Sequence, residues 1–179
     1  ALNQGRLTWR HNNILNFWNN NICKSIKSKW PNSIVTSDLC NSDKHFTTIP
    51  LECTTTNLIP DLTIFNPDTK TLHIFELSVP FETNIDKIHQ FKVNKYSPLV
   101  TDIEKNGITV HFNAIEIGAR GFISSENSKR LQDMFKHCAI AGSFKSFKNT
   151  TSQLAIISSF VIFHAKSQPT WEDIPFLNA

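Results

Sequence analysis

The segment TLHIFELSV, residues 71–79, constrains the fold of this chain more than any other because it is apolar on both faces. One face of the predicted strand carries Leu72 and Ile74, and the other carries Phe75, Leu77 and Val79. A strand with two apolar faces is typical of the interior of a sheet that is covered on both sides. We therefore expect 71–79 to be a central strand.

The neighbouring segments predict how this strand is connected. Residues 67–70, Pro-Asp-Thr-Lys, favour a turn, which joins it to an earlier strand over 61–66. A helix that Thr83 or Asn84 could cap is predicted to run to Lys105 and to stop at Asn106-Gly107. The alternating segment 108–117 is then a strand that could run parallel to 71–79 across this helix.

The remaining segments complete a mixed α/β fold, with a small mixed sheet flanked by helices. The spacing of apolar residues predicts one amphipathic helix over 7–28 and two closing helices over 124–139 and 150–166. The other expectations are a short strand over 33–39, a loop over 40–58 with at most one short strand, and an irregular tail over 167–179 held by Trp171 and Phe176.

Length and composition favour one domain over 1–179, with its core in about 7–140, since 179 residues that are 40% hydrophobic suffice for one sizeable core.

The longest apolar run, 154–164, is shorter than the roughly 20 residues that span a bilayer, so no membrane association is expected. No secretory signal is visible, and the chain begins at Ala1, which suggests a fragment of a longer polyprotein. A net charge of +3 permits contact with a polyanion without requiring it.

The four cysteines are dispersed without a CxxC pair, which indicates neither a zinc ribbon nor a disulfide framework. Cys40, His45 and Cys53 could form a partial metal site, but buried or incidental cysteine explains them more simply. A reducing compartment is the expected environment.

Asp61 and Glu76 are predicted to face each other across the first two strands of this region. If the hairpin is symmetric about its turn, Asn66 pairs with Thr71, and the same register places Asp61 opposite Glu76. Two buried carboxylates this close need a cation or a shifted pKa, and Mg²⁺ is commonly held by one or two carboxylates. A change of register by one or two residues would instead expose Asp61 and leave Glu76 in a salt bridge. The sequence alone leaves both registers open.

Lys92 lies at the centre of the apolar stripe of the helix predicted over 84–105, beside Tyr96, whereas Lys95 lies at its edge. A lysine in an apolar stripe requires an anion, which paired carboxylates, water or phosphate would supply. The alternative is that Lys92 extends along the apolar surface to solvent. His89 and Tyr96 are better suited to packing or hydrogen bonding than to catalysis.

Pro60-Asp61, followed by Glu76-Leu77-Ser78 on the next strand, resembles the PD-(D/E)XK nuclease superfamily. Ser78 stands where that motif usually has lysine. This departure is characteristic of the restriction-like endonuclease domain of non-long-terminal-repeat retrotransposons, in which the lysine lies on the following helix. Three longer segments also resemble retroelement reverse transcriptase polyproteins, namely Trp9–Leu15, residues 76–96 and Ala114–Ser124.

The resemblance implies a restriction-endonuclease-like fold and a Mg²⁺- or Mn²⁺-dependent DNA endonuclease. It would nick target DNA by phosphodiester hydrolysis to prime reverse transcription. Asp61 and Glu76 would bind the metal, and Lys92 would assist the attacking water. Lys95 is the second candidate, because both lysines belong to the KxxKY pattern, and Tyr96 is a supporting residue. The domain would follow a reverse transcriptase and a zinc knuckle in a nuclear polyprotein, with DNA as its partner.

Two departures from the family pattern bear on these expectations. Ile59 stands where family members usually have arginine or lysine, which weakens phosphate contact, and the first helix lacks an acidic residue that would add a metal ligand. Arg10, His11 and Arg120 are candidate phosphate contacts, with surface solvation, or helix packing for His11, as the alternatives. Two other functions stay open: a DNA-binding module without nuclease activity, and a structural docking domain for the reverse transcriptase.

Overall fold

The computed structural model describes residues 5–40, 47–167 and 175–177. These residues form a mixed α/β fold in which one mixed sheet is flanked by helices, as the sequence predicts. The four strands are β1 (Ile34–Ser37), β2 (Leu62–Asn66), β3 (Thr71–Ser78) and β4 (Thr109–Glu116), and they lie side by side in this order. The four α-helices found within the described ranges are α1 (Arg6–Lys29), α2 (Ile85–Lys105), α3 (Ser125–His137) and α4 (Phe144–His164).

The register of the sheet confirms the predicted hairpin. β2 and β3 pair antiparallel with Asn66 opposite Thr71, and the pairing continues to Leu62 opposite Phe75. The next step of the same register brings Asp61 opposite Glu76. β3 and β4 pair in parallel, as predicted, and α2 connects them.

The sheet separates two hydrophobic cores, because side chains along a strand point alternately to its two faces. β3 is buried on both faces, which confirms the prediction from its sequence. On one face, residues of α2 pack against the sheet in a core that contains Phe65, Leu72, Ile74, Tyr96, Leu99 and Ile103. On the other face, α1, α3 and α4 supply a core that contains Trp18, Ile64, Phe75, Leu77, Leu131 and Leu154.

Helix α4 begins at Phe144, and the predicted start at residue 150 is wrong. The ring of Phe135 in α3 lies 5.7 Å from that of Phe144 and 5.4 Å from that of Phe147, measured between centroids. This packing between helices orders the polar first turns of α4, which carry no clear apolar period of their own. Tertiary contact thus outweighs local propensity here.

Helix α2 begins and ends close to the predicted residues. Asn84 is its N-cap residue, but its side chain makes no capping hydrogen bond, and a 3-10 turn over Glu82–Asn84 leads into the helix instead. The helix contains Pro98. After it, Gly107 adopts a φ of 77°, the left-handed conformation that glycine reaches without strain.

Other predictions fall partly outside the described residues. Of the loop predicted over 40–58, residues 47–58 are irregular, and 41–46 lie outside the described residues, as does Trp171. In the tail, Phe176 is exposed, and Leu177 makes the attachment by donating its backbone N–H to Asn13 Oδ1 at 2.7 Å. No described helix has the length and apolar character needed to cross a membrane.

Candidate functional site

Asp61 and Glu76 meet at the end of the β2–β3 hairpin, as the register predicts. The backbone N–H of Asp61 donates to Glu76 Oε1 at 3.1 Å, and the backbone N–H of Leu77 donates to Asp61 Oδ2 at 2.7 Å. Both residues are buried. At an effective dielectric constant near 20, two like charges about 5 Å apart repel by roughly 3 kcal/mol, so the pair requires compensating positive charge.

Lys92 supplies part of that positive charge. Its ammonium group reaches from α2 to Glu76 Oε2 at 2.5 Å, and Glu76 is only 1% exposed. The structure therefore places Lys92 on the carboxylate pair rather than along the helix surface to solvent. An apolar helix face carries this lysine because the buried carboxylate lies directly beneath it.

His11 is the partner of Asp61, a contact that the sequence did not indicate. Its Nε2 lies 3.2 Å from Asp61 Oδ2, and its Nδ1 lies 2.9 Å from Asn12 Oδ1. From the sequence, His11 was predicted only as a phosphate contact, with surface solvation or helix packing as the alternatives. No local pattern signals the contact with Asp61, since it joins two elements that are distant along the chain. Helix α1, which contains no acidic residue, thus contributes an imidazole at this place.

The Tyr96 hydroxyl lies within hydrogen-bonding reach of Glu76, whereas Lys95 contacts Tyr96 rather than a carboxylate. The Tyr96 hydroxyl donates to the backbone carbonyl of Ile59 at 3.3 Å, and the Lys95 ammonium group donates to the Tyr96 hydroxyl at 3.2 Å. Lys95 also stands over the Tyr96 ring, 4.7 Å from its centroid. Of the two lysines in the KxxKY pattern, Lys92 is therefore the one in contact with a carboxylate, and Tyr96 holds the segment that leads into Asp61.

The protonation behaviour of the site follows from these contacts. Burial raises the pKa of Glu76, and the negative charge of Asp61 raises it further, which outweighs the opposing effect of Lys92. Burial also acts to raise the pKa of Asp61, but the hydrogen bond and charge of His11, with the charge of Lys92, bring it below its ordinary value. Burial acts to lower the pKa of Lys92, and the charges of Glu76 and Asp61 outweigh it, so the pKa rises. Lys92 therefore stays protonated beside an ionised Asp61.

The donor set of this site fits a divalent cation of the Mg²⁺ type. Two carboxylates from adjacent strand ends converge, which is the number of protein carboxylates that Mg²⁺ commonly uses. Asp61 Oδ1 accepts no hydrogen bond from any described residue, and the Asp61 side chain is 11% exposed. The other carboxylate oxygens are bonded to Lys92, His11 and backbone N–H groups. A carboxylate oxygen has two acceptor sites, so an ion could bind Glu76 while the contact of Lys92 with Oε2 is kept.

The structure holds Arg10 and Arg120 in ion pairs and hydrogen bonds away from the two carboxylates. The Arg10 guanidinium is largely buried and donates to the Val79 carbonyl at 2.5 Å and to Ser159 Oγ at 3.0 Å. The Arg120 side chain is 78% exposed and pairs with Glu82 at 3.0 Å. Arg120 is thus accessible to a phosphate, whereas Arg10 links α1, the end of β3 and α4. Phosphate binding by either residue stays a prediction.

A second buried carboxylate, Glu116, lies at the end of β4 on the same face of the sheet as Glu76. His89 Nδ1 lies 3.1 Å from Glu116 Oε1, and Arg130 Nη1 lies 3.9 Å from Glu116 Oε2. The sequence analysis did not single out this cluster. One signal for it was present in the sequence, where Glu116 stands between two isoleucines in the alternating segment AIEI. A glutamate in such an apolar strand is expected to be buried and therefore to have a partner.

The cysteine-containing metal site weighed from the sequence gains no support from the described residues. Cys53 is buried, and burial, followed by the charge of Glu52, raises its pKa to about 12. The Cys40 side chain and His45 lie outside the described residues. Among the side chains that the structure describes, no group of three or more His, Cys, Asp or Glu residues is arranged to hold a metal ion.

Comparison of the chain with models of protein families, with curated proteins and with solved structures finds no significant match.

Proposed function

We propose that this chain is a restriction-endonuclease-like domain that nicks DNA by metal-dependent phosphodiester hydrolysis, with Asp61, Glu76 and Lys92 at its active site. The observation that carries the proposal is the contact of three groups from separate elements. Asp61 precedes β2, Glu76 lies in β3, and Lys92 reaches Glu76 from α2 at 2.5 Å. The sheet register and the helix face bring together the residues that the resemblance names.

In the proposed mechanism Asp61 and Glu76 would hold Mg²⁺ or Mn²⁺, and such an ion would supply a Lewis acid for the scissile phosphate and for a water molecule. Lys92 stays protonated, so it can donate hydrogen bonds to the attacking water or to a phosphate oxygen as negative charge develops. Tyr96 fixes the backbone at Ile59 and thereby the position of Asp61. Arg120 would contact the DNA backbone from its exposed position. The biological role that the resemblance implies is the priming of reverse transcription at the nick.

One observation favours a second candidate, a DNA-binding module that has lost nuclease activity. Each carboxylate already has a cationic or ionisable partner, because Lys92 pairs with Glu76 and His11 pairs with Asp61. A site that compensates its own charge is stable without a metal ion. The nuclease requires that an ion bind at the acceptor sites that these partners leave on the two carboxylates.

A plasmid-nicking assay tests the proposal. Purified protein should convert supercoiled plasmid to open circles with Mg²⁺ or Mn²⁺ and should do so no faster than buffer when EDTA is present. The Asp61→Asn variant, which keeps the side-chain shape, should have no metal-dependent activity while its circular dichroism spectrum stays unchanged. Salt-sensitive DNA binding without cleavage under either metal would overturn the nuclease in favour of the inactive module. Full activity in Asp61→Asn would exclude this site as the catalytic centre.

A further inference from the structure

A second cluster of ionisable side chains lies on the opposite face of the sheet from Glu76. His73 of β3, His111 of β4 and His137 at the end of α3 line an open cavity of about 180 Å³, together with Asp133. His73 forms the buried floor at 4% exposure, whereas His111, Asp133 and His137 are exposed around it. None of these residues belongs to the carboxylate site, so this cavity needs its own explanation.

The three imidazole rings lie close enough together that rotation of two of them could bring all three onto one metal ion. The ring centroids of His73 and His111 lie 4.7 Å apart, those of His73 and His137 5.3 Å, and those of His111 and His137 6.3 Å. With a Zn–N bond of about 2.1 Å, a ring centroid lies about 3.2 Å from the ion, and two rings at the tetrahedral angle stand about 5 Å apart. In the part of the chain that the structure describes, donor atoms are not yet gathered around one point. Rotation of the exposed His111 and His137 side chains would gather them.

His73 is available as a ligand. Among the described residues no hydrogen-bond partner is seen for either of its ring nitrogens. Its ring stacks on Trp30, with 5.4 Å between the ring centroids, and this contact does not involve the two histidines that would have to rotate. His73 therefore keeps its place at the floor of the cavity and has both nitrogens available to a ligand that accepts a lone pair.

The charge state of the cluster favours a cation that prefers nitrogen donors. Burial, with the charges of His111, His137 and Lys29, lowers the pKa of His73 to about 3, so its imidazole is neutral at physiological pH. Burial, with the charge of Lys29, also lowers the pKa of His137. The Lys29 ammonium group, bound to the His137 carbonyl at 2.9 Å, repels a cation, and the Asp133 carboxylate opposes this repulsion. Neutral imidazole is the form that binds Zn²⁺.

We infer that His73, His111 and His137, with Asp133 as the fourth donor, form a binding site for a first-row transition-metal ion of the Zn²⁺ type. Three imidazoles with one carboxylate are a donor set suited to Zn²⁺, whereas Mg²⁺ prefers oxygen ligands alone. The ion would connect β3, β4 and α3 on the face away from the carboxylate site. It would therefore stabilise the fold without taking part in the proposed hydrolysis.

The test is a Zn²⁺ titration of the whole chain against a chromophoric chelator, with excess Mg²⁺ present to occupy the carboxylate site. The His111→Ala/His137→Ala double variant should bind Zn²⁺ at least about tenfold more weakly than the unchanged protein. Both substituted side chains are exposed, so the fold should be retained. The matched control is His164→Ala, which removes an exposed histidine of α4, and a Cys40→Ser/His45→Ala variant reports on the other candidate donors.

A second measurement does not depend on substitution of a cavity residue. Zn²⁺ should shift the imidazole nitrogen resonances of His73 in the unchanged protein, as a directly bound ion does. The proposal is overturned if the double variant binds Zn²⁺ as tightly as the unchanged protein, or if the His73 resonances do not move. Loss of binding in the Cys40→Ser/His45→Ala variant alone would place the ion elsewhere and would also overturn it.

Discussion

Glu76 and Glu116 lie on neighbouring strands, on the same face of one sheet, and each is 1% exposed. Their surroundings differ. Glu116 has His89 and Arg130 beside it and, among the described residues, is the only carboxylate paired with them. Glu76, in contrast, shares its site with Asp61. Burial of one carboxylate needs one cationic partner, and burial of two needs further positive charge. The comparison teaches that the two sites differ in how many partners each carboxylate has: Glu116 has two, whereas Asp61 and Glu76 have one ion-pair partner each, His11 and Lys92.

The largest effect on stability is expected at Lys92. Replacing it in Lys92→Met leaves the buried Glu76 without its ion-pair partner, and such losses cost about 3–5 kcal/mol in the free energy of unfolding. The matched control is Lys87→Met on the exposed side of α2, which should change stability by less than about 0.5 kcal/mol. Urea unfolding measures both.

A double variant sharpens this prediction. Adding Glu76→Gln to Lys92→Met removes the uncompensated charge, so the double variant should be more stable than Lys92→Met alone. If Lys92→Met and Lys87→Met were equally stable, Lys92 would not be compensating the negative charge of Glu76.

A smaller effect is expected at the second glutamate. Arg130→Ala removes one partner of the buried Glu116, but His89 remains, so a loss of about 1.5–3 kcal/mol is expected. Arg120→Ala breaks an exposed ion pair with Glu82 and should cost no more than about 1 kcal/mol. Thermal unfolding compares the two variants, and a larger loss in Arg120→Ala would reverse the order that burial predicts.

Stabilisation by metal ions is expected to be smaller than the loss in Arg130→Ala. Mg²⁺ at ten times its dissociation constant should raise the free energy of unfolding by about 1.4 kcal/mol, because it binds only the folded site. Glu76→Gln should lose this increment, and Glu116→Gln should keep it. Differential scanning fluorimetry over a range of Mg²⁺ concentrations measures the shift. An identical Mg²⁺-dependent shift in both variants would contradict binding of the ion at Glu76.

The sequence predicted most of the fold near the carboxylate site. A symmetric turn over 67–70 was one of two open readings, and the structure has its register, with Asn66 opposite Thr71. The projection of the predicted helix placed Lys92 at the centre of the apolar stripe and Lys95 at its edge. These predictions succeeded because they depend on local periodicity, which the sheet pleat and the helix turn impose directly.

What the sequence could not predict depends on contacts between distant elements. His11 reaches Asp61 from α1, and Arg130 reaches Glu116 from α3, so no local spacing encodes either contact. The first turns of α4 were missed for the same reason, since Phe144 and Phe147 gain helical order by packing against Phe135. Such contacts follow from how the elements pack, which periodicity does not determine.

The most direct test of the central claim compares two isosteric variants, Glu76→Gln and Glu116→Gln, in the Mg²⁺-dependent plasmid-nicking assay. Each removes one buried negative charge from the same face of the sheet, so an unspecific loss of stability affects both. We predict that Glu116→Gln nicks plasmid at close to the rate of the unchanged protein, whereas Glu76→Gln has no activity above the EDTA control. Equal activity in the two variants would contradict the assignment of Asp61 and Glu76 as the metal-dependent centre.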